Sequence, residues 1–289
     1  MGAPGMDDQN VRQSIGADQF FSWISLGWIK LFGLGDYRTN VLNHFCEGDF
    51  PWTHSDLFPE NYFPNPFIKN DSSESGPDKK ERTGWLTSDG FQKILKGEGT
   101  TDYKEPISEH ALQMAHTNTF TTDESKPFIT TAITTKDKSI LTMVGFFDLE
   151  NEELKSKIES VLEFMKDEGF GANRTSGLGQ IESIKLEEGK INFSEIKNPQ
   201  RYISLCDFVP SQEEIKQLFN DEAFLYRLIT KAGWIYDESG NPTDQRKQKI
   251  FLFSCGSTMK EKVKGKLVNV GYKNSPSYRY AIPYLIGAH

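Results

Sequence analysis

The chain of 289 residues has three cysteines, Cys46, Cys206 and Cys255, and no two of them are near one another in sequence. An odd, scattered set excludes a disulfide framework, and without a Cys-x-x-Cys pair it gives no sign of a structural zinc site. A reducing cytoplasm is the expected compartment. Long apolar runs are missing as well. The nearest approach, Phe20 to Leu34, is too short to span a bilayer and is broken by Ser22, Ser25 and Lys30. The N-terminus lacks the basic start and cleavage site of a signal peptide, so no membrane partner is expected. Positive charge is also scarce: 33 Lys and Arg stand against 41 Asp and Glu, a net charge of −8.

That deficit is uneven. Residues 1–200 hold 20 basic and 32 acidic residues, whereas from Arg246 onward nine basic residues accompany a single acid, Glu261. A polyanion responds to the local field rather than to the total. The tail is either a solvated basic face or a surface that holds phosphates.

What is present is ample apolar area, with 21 Phe and five Trp. Phe20, Phe21, Ile24, Trp28 and Leu31 recur at helical spacing and predict an amphipathic helix over Ala17–Phe32. A second helix is predicted over Asn151–Glu168, where Leu154, Ile158, Val161, Leu162 and Met165 form one stripe. Asn151 suits its N-cap, Glu152 and Glu153 its first turn, and Gly169 its stop. The β-rich runs of Thr130–Phe147, parted at Lys136-Asp137-Lys138, read as strands around a turn. Gln180–Leu186 and Lys190–Ile196 read as a hairpin around Glu187-Glu188-Gly189. Further strands are expected at Arg201–Val209, Lys249–Ser254, Lys266–Val270 and Tyr278–Ile286, with a helix after Pro210-Ser211. Single helices among strands, without repeated β-α-β units, indicate an α+β fold.

The segment with the most chemistry is Gly169-Phe170-Gly171-Ala172-Asn173-Arg174-Thr175-Ser176-Gly177-Leu178-Gly179. Its four glycines permit positive φ and close approach to a ligand. Arg174 offers a forked donor for phosphate, and Asn173, Thr175 and Ser176 add short polar groups. The order of elements separates it from nucleotide-hydrolysing and dinucleotide loops. Those feed a helix N-terminus, and the first kind ends in Gly-Lys-Ser/Thr. Here a helix precedes the loop and presents its negative end to it.

A helix followed by Gly-x-Gly-x-x-x-x-x-Gly-x-Gly and a strand resembles the glycine-rich loop of the RAMP superfamily of CRISPR proteins. Other segments narrow the resemblance to the family of subunit-four proteins of type III-A Csm effector complexes. They are Ala17-Asp18-Gln19-Phe20-Phe21-Ser22, Ser55-Asp56-Leu57-Phe58-Pro59, Tyr62-Phe63-Pro64-Asn65-Pro66, Phe253-Ser254-Cys255-Gly256-Ser257 and Tyr278-Arg279-Tyr280-Ala281-Ile282-Pro283. The chain departs from that pattern at Met1-Gly2-Ala3-Pro4-Gly5, where family members open with a strand, and at Thr117-Asn118-Thr119 in place of Asn-x-x-Asp-Arg.

The resemblance implies two ferredoxin-like (RRM-like) domains in tandem. The first would occupy residues 1–197, without its opening strand and with an inserted loop or thumb at about 68–110; the second would occupy residues 198–289. It implies a non-catalytic subunit that grips the 5′ repeat handle of the CRISPR RNA. Its neighbours would be the large polymerase-like subunit and a backbone RAMP subunit, with target RNA nearby and no cofactor or metal. RNA-binding residues would be Gly169, Gly171, Asn173, Arg174, Thr175, Ser176, Gly177 and Gly179 of the loop, with Gly256, Ser257, Lys260, Lys264 and Arg279 of the tail. Arg279, between Tyr278 and Tyr280, is either a surface charge or an RNA contact. The rival is a RAMP-type endoribonuclease that processes CRISPR precursor RNA with a His general base. His44, His54, His110 and His116 are its candidates, with Asp56 as a companion.

Overall fold

The computed structural model describes residues 13–68, 85–100, 102–116, 126–135, 140–171, 177–189, 196–236, 242–272 and 275–289. Among them are five α-helices: α1 (Ala17–Tyr37), α2 (Asn43–Glu47), α3 (Ser88–Leu95), α4 (Glu152–Glu168) and α5 (Gln212–Asn220). They lie against short antiparallel strands, so the fold is α+β.

The two helices foreseen from apolar spacing form the main core. Asn151 caps α4, its side-chain oxygen accepting from the Leu154 amide at 3.0 Å, and Gly169 ends it with φ 71°. All five stripe residues are buried, as are Phe20, Phe21, Ile24 and Trp28 on α1. The helix over Ala17–Phe32 is broken at Gly33, whose φ of 86° and ψ of 159° kink the axis before the chain resumes to Tyr37. At Gly27 the two helices come very close: a Cβ there would lie 2.4 Å from Met165 Cγ and 2.8 Å from Val161 Cγ1. Only glycine lets α4 approach so far. At α5, Ser211 and Glu214 complete a reciprocal capping box.

Strand pairing departs from the sequence reading in three places. The runs on either side of 136–138 do not pair with each other. Lys126–Thr135 pairs instead with Ile107–His116 in a long hairpin. Met143–Val144 lies against Phe58–Pro59, and Phe147–Asp148 against Thr53–His54. Alternation marks a strand but carries no address for its partner, and two of these pairings join segments more than 80 positions apart. Second, the described part of Gln180–Leu186 forms no strand. Ile181, Ile184 and Leu186 satisfy their apolar character by packing on the α1–α4 core. Its expected partner, Lys190–Ile196, is outside the described residues except for Ile196. Third, Tyr278–Ile286 divides into Tyr278–Ala281, paired with Lys266–Asn269, and Leu285–Ala288, paired with Arg201–Ser204. Pro283 interrupts the ladder, since it has no N–H to donate.

The two halves of the sequence share their cores. Arg201–Ser204 is the middle strand of a three-stranded antiparallel sheet between Thr258–Met259 and Leu285–Ala288. Ile203, Leu205 and Ala288 pack with Phe58, Phe63, Leu86, Phe91 and Leu95 from the first half. The Asp56 amide donates to Leu205 O at 3.0 Å, and the His289 amide to Leu95 O at 2.9 Å.

Candidate nucleic-acid interface

The glycine-rich loop leaves the C-terminal end of α4 over a closed base. The Phe170 amide donates to Gly179 O at 2.7 Å, so the loop returns to where it began. Trp23 of α1 braces this base: its indole N–H donates to Gly169 O at 3.0 Å, and its ring meets Phe170 edge to face at 5.9 Å. Each described glycine has a positive φ, 71° at Gly169, 115° at Gly171, 85° at Gly177 and 70° at Gly179. Their roles differ. A Cβ on Gly179 would fall 1.8 Å from Phe170 O, so Gly179 is needed for the clasp itself. A Cβ on Gly177 would meet nothing within 4 Å, so that position faces open space. Asn173, Arg174, Thr175 and Ser176 lie outside the described residues.

The tail residues separate into two groups. Lys260 and Lys264 are exposed. The Lys264 ammonium stands over the Phe50 ring at 5.4 Å from its centroid, and neighbouring Lys262 stands over Tyr202 at 5.3 Å. Lys262, passed over in the sequence reading, belongs with them; its alternation with Lys260 and Lys264 was the available signal.

Gly256, Ser257 and Arg279 are buried instead. A Cβ on Gly256 would lie 2.8 Å from Asn65 O, and the Phe67 amide donates to Gly256 O at 2.8 Å. The close approach that glycine permits is therefore to the Pro-rich stretch of the same chain. Ser257 is fully buried and donates to Ser254 O at 2.6 Å.

Arg279 corrects the sequence reading most clearly. It was expected at a surface, either solvated or on RNA, yet it is 7 % exposed. Its guanidinium donates to Asp18 at 2.6 Å and to Ala232 O at 2.9 Å. Asp18 and Asp207 share the Lys231 ammonium at 2.6 and 2.8 Å. Two acids and two bases thus neutralise one another inside the protein. A strand places Arg279 opposite its tyrosine neighbours, as alternation requires, but both faces of this strand are covered.

The histidines of the rival reading show no catalytic pairing among the described residues. His54 is wholly buried among Phe20, Phe21, Phe147 and Tyr280, with the Tyr280 ring centroid 4.2 Å away. Burial pushes its pKa down to about 4, and its Nε2 lies 3.0 Å from Ala17 O. Asp56 accepts from the Ala17 amide at 2.7 Å. His44 is exposed beside Asp49 at 3.2 Å. The side chains of His110 and His116 are outside the described residues. No described helix is long and apolar enough to cross a membrane, and no described group of three His, Cys, Asp or Glu is arranged to hold a metal ion.

Comparison with known proteins agrees with this architecture. A protein of Streptococcus thermophilus described as "CRISPR system Cms protein Csm4" is 23 % identical over 269 residues, covering 90 % of this chain and 85 % of its own. A protein of Methanocaldococcus jannaschii with the same description is 24 % identical over 135 residues, 44 % of this chain and 34 % of its own. A chain in the crystal structure of a Csm3–Csm4 subcomplex from a type III-A interference complex superposes with a TM-score of 0.63 at 17 % identity, covering 96 % of this chain and 94 % of that one. A chain of a Csm1–Csm4 cassette crystallised with cA4 superposes with a TM-score of 0.60 at 15 % identity, covering 96 % and 95 %. Residues 197–288 match the family described as the CRISPR Csm4 C-terminal domain. The fold and these relatives agree, and the chain is similar to Csm4 proteins over most of its length.

Proposed function

We propose that this chain is a subunit of a type III CRISPR effector that grips the 5′ repeat handle of the guide RNA. It bridges the large polymerase-like subunit on one side to backbone RAMP subunits on the other. The observation that carries the reading is the closed base of the glycine-rich loop. Phe170, Gly179 and Trp23 hold the two ends of the loop together, which suits a loop that presents its intervening residues to a ligand. Gly171 and Gly177 keep its backbone free of side chains, and Arg174 brings a forked donor to it. Extended RNA held by phosphate and 2′-OH contacts needs such a backbone more than it needs a deep pocket. The relatives crystallised with Csm3 and with Csm1 support the choice of protein neighbours. The tandem ferredoxin-like domains, residues 1–197 and 198–289, are part of the same proposal.

The subunit acts by holding RNA rather than cutting it. His54 faces a ring of aromatic side chains and is neutral at physiological pH, so it reaches no substrate proton. The test is purification of the assembled complex followed by sequencing of its short RNA. One uniform 5′ end carrying the host's repeat sequence is expected. Heterogeneous ends, or RNA without repeat sequence, would overturn the reading. Incubating the purified chain with precursor RNA, with and without Mg²⁺, should give no cleavage.

A further inference from the structure

Three charges without an ion-pair partner among the described residues line one open cleft away from the glycine-rich loop. The cleft, about 220 Å³ in volume, runs between Phe50, Thr53 and Asp148 of the first half and Lys262, Lys264 and Tyr284 of the second. Neither lysine has an ion-pair partner among the described residues. The nearby carboxylate of Glu214 is occupied by the backbone amides of Ser211, Lys264 and Gly265. Asp148, which also lines the cleft, accepts from the Tyr284 hydroxyl at 3.0 Å and forms no ion pair among the described residues. Cations and an anion that share a cleft without pairing are complementary to a ligand that carries the opposite features at matching ends. Phe50 and Tyr284 add aromatic side chains to the lining of the same cleft.

A nucleotide has this pattern. Its phosphate suits two ammonium groups, its flat base suits aromatic walls, and its base edge offers N–H donors to a carboxylate. Guanine matches best, because two adjacent N–H groups on its Watson–Crick edge fit the two oxygens of one carboxylate. Uracil offers one.

We propose that this cleft binds a nucleotide, its phosphate held by Lys262 and Lys264 and its base, guanine by preference, read by Asp148. The proposal rests on the RNA-binding reading only for the source of that nucleotide, a strand rather than a free mononucleotide. Asp148 precedes α4 and Gly169 ends it. The 17 residues of that helix put about 25 Å between cleft and loop, so the two sites are separable by mutation.

Titration of the purified full chain with GMP and UMP, followed by calorimetry, tests the site. GMP is expected to bind at least tenfold more tightly than UMP. Lys262→Ala with Lys264→Ala should weaken GMP tenfold or more without loss of thermal stability, since both side chains are exposed. Asp148→Asn should remove the preference for GMP while leaving UMP binding as it was. Equal binding of the two nucleotides, no binding of either, or free glutamate binding as tightly as GMP would overturn the proposal. A single-stranded RNA hexamer containing one guanine then identifies the source. Tighter binding than GMP assigns the nucleotide to an RNA strand, equal binding to a free mononucleotide, and both outcomes uphold the site. Variants of the glycine-rich loop leave these results unchanged, so failure of the handle-gripping reading is distinguishable from failure here.

Discussion

The guanidinium of Arg279 donates to the carboxylate of Asp18 at 2.6 Å, joining the first turn of α1 to a strand 261 positions later in the chain. Both groups are more than nine-tenths buried. Removing one member of such a network leaves the others with uncompensated charge in a medium that solvates it poorly. Arg279→Ala is expected to cost about 3–5 kcal/mol of stability. Urea unfolding measures it. A loss below about 1 kcal/mol would mean that water reaches Asp18 and Asp207.

His54 gives the protein an acid-sensitive element. Burial lowers its pKa from 6.5 to about 4, so the folded state holds it neutral while the unfolded chain takes up a proton below pH 6.5. The stability it contributes is present above pH 6.5 and is lost as pH falls from 6.5 to about 4, a change on the order of 3 kcal/mol. Denaturation midpoints for the protein and for His54→Gln, compared between pH 7 and pH 4, should show a flatter pH dependence in the variant. Parallel curves would assign the acid sensitivity to other groups.

Gly27 sets the distance between α1 and α4. Gly27→Val must displace Met165 and Val161, both fully buried, and should destabilise by about 1–3 kcal/mol through overpacking. Thermal melting of the free subunit would show it. An unchanged melting temperature would mean that the helices separate at no cost.

Within the loop, the structure ranks the glycines. Gly179→Ala should open the Phe170–Gly179 clasp and lower both stability and guide occupancy, because its Cβ has no room. Gly177→Val meets open space, so its effect should fall on guide occupancy, with a smaller cost from φ 85°. Arg174→Ala should lose guide while leaving the melting temperature unchanged. Occupancy of the assembled complex, measured beside melting of the free subunit, separates these outcomes. Full occupancy in Arg174→Ala and Gly177→Val would make the loop purely architectural.

Lys260 and Lys264 are exposed on the basic tail. If each contacts one phosphate, Lys260→Ala with Lys264→Ala should reduce the salt dependence of handle binding by roughly 1.4 in log–log slope, at about 0.7 per contact for a single strand. The loss should be similar for unrelated handle sequences, since phosphate carries no base information. An unchanged slope would place this face against solvent or protein.

Periodicity and punctuation are local, and the elements they encode were legible. The stripe Leu154-Ile158-Val161-Leu162-Met165 with Asn151 and Gly169 at its ends defines α4 from one stretch of chain, as Ser211 and Glu214 define the start of α5. The order of helix before glycine-rich loop was equally local.

What only the tertiary structure decided is partnership across long sequence separations. The strands of 126–148 pair with 53–59 and 107–116 rather than with each other, because a strand's alternation does not specify which distant edge receives it. Arg279 and Gly256 have the residue types of an RNA contact, and their sequence neighbours do not show that Asp18 and Asn65 are folded against them. Charge is countable in a sequence, but whether it meets water or an opposite charge depends on which segments the hydrophobic core draws together.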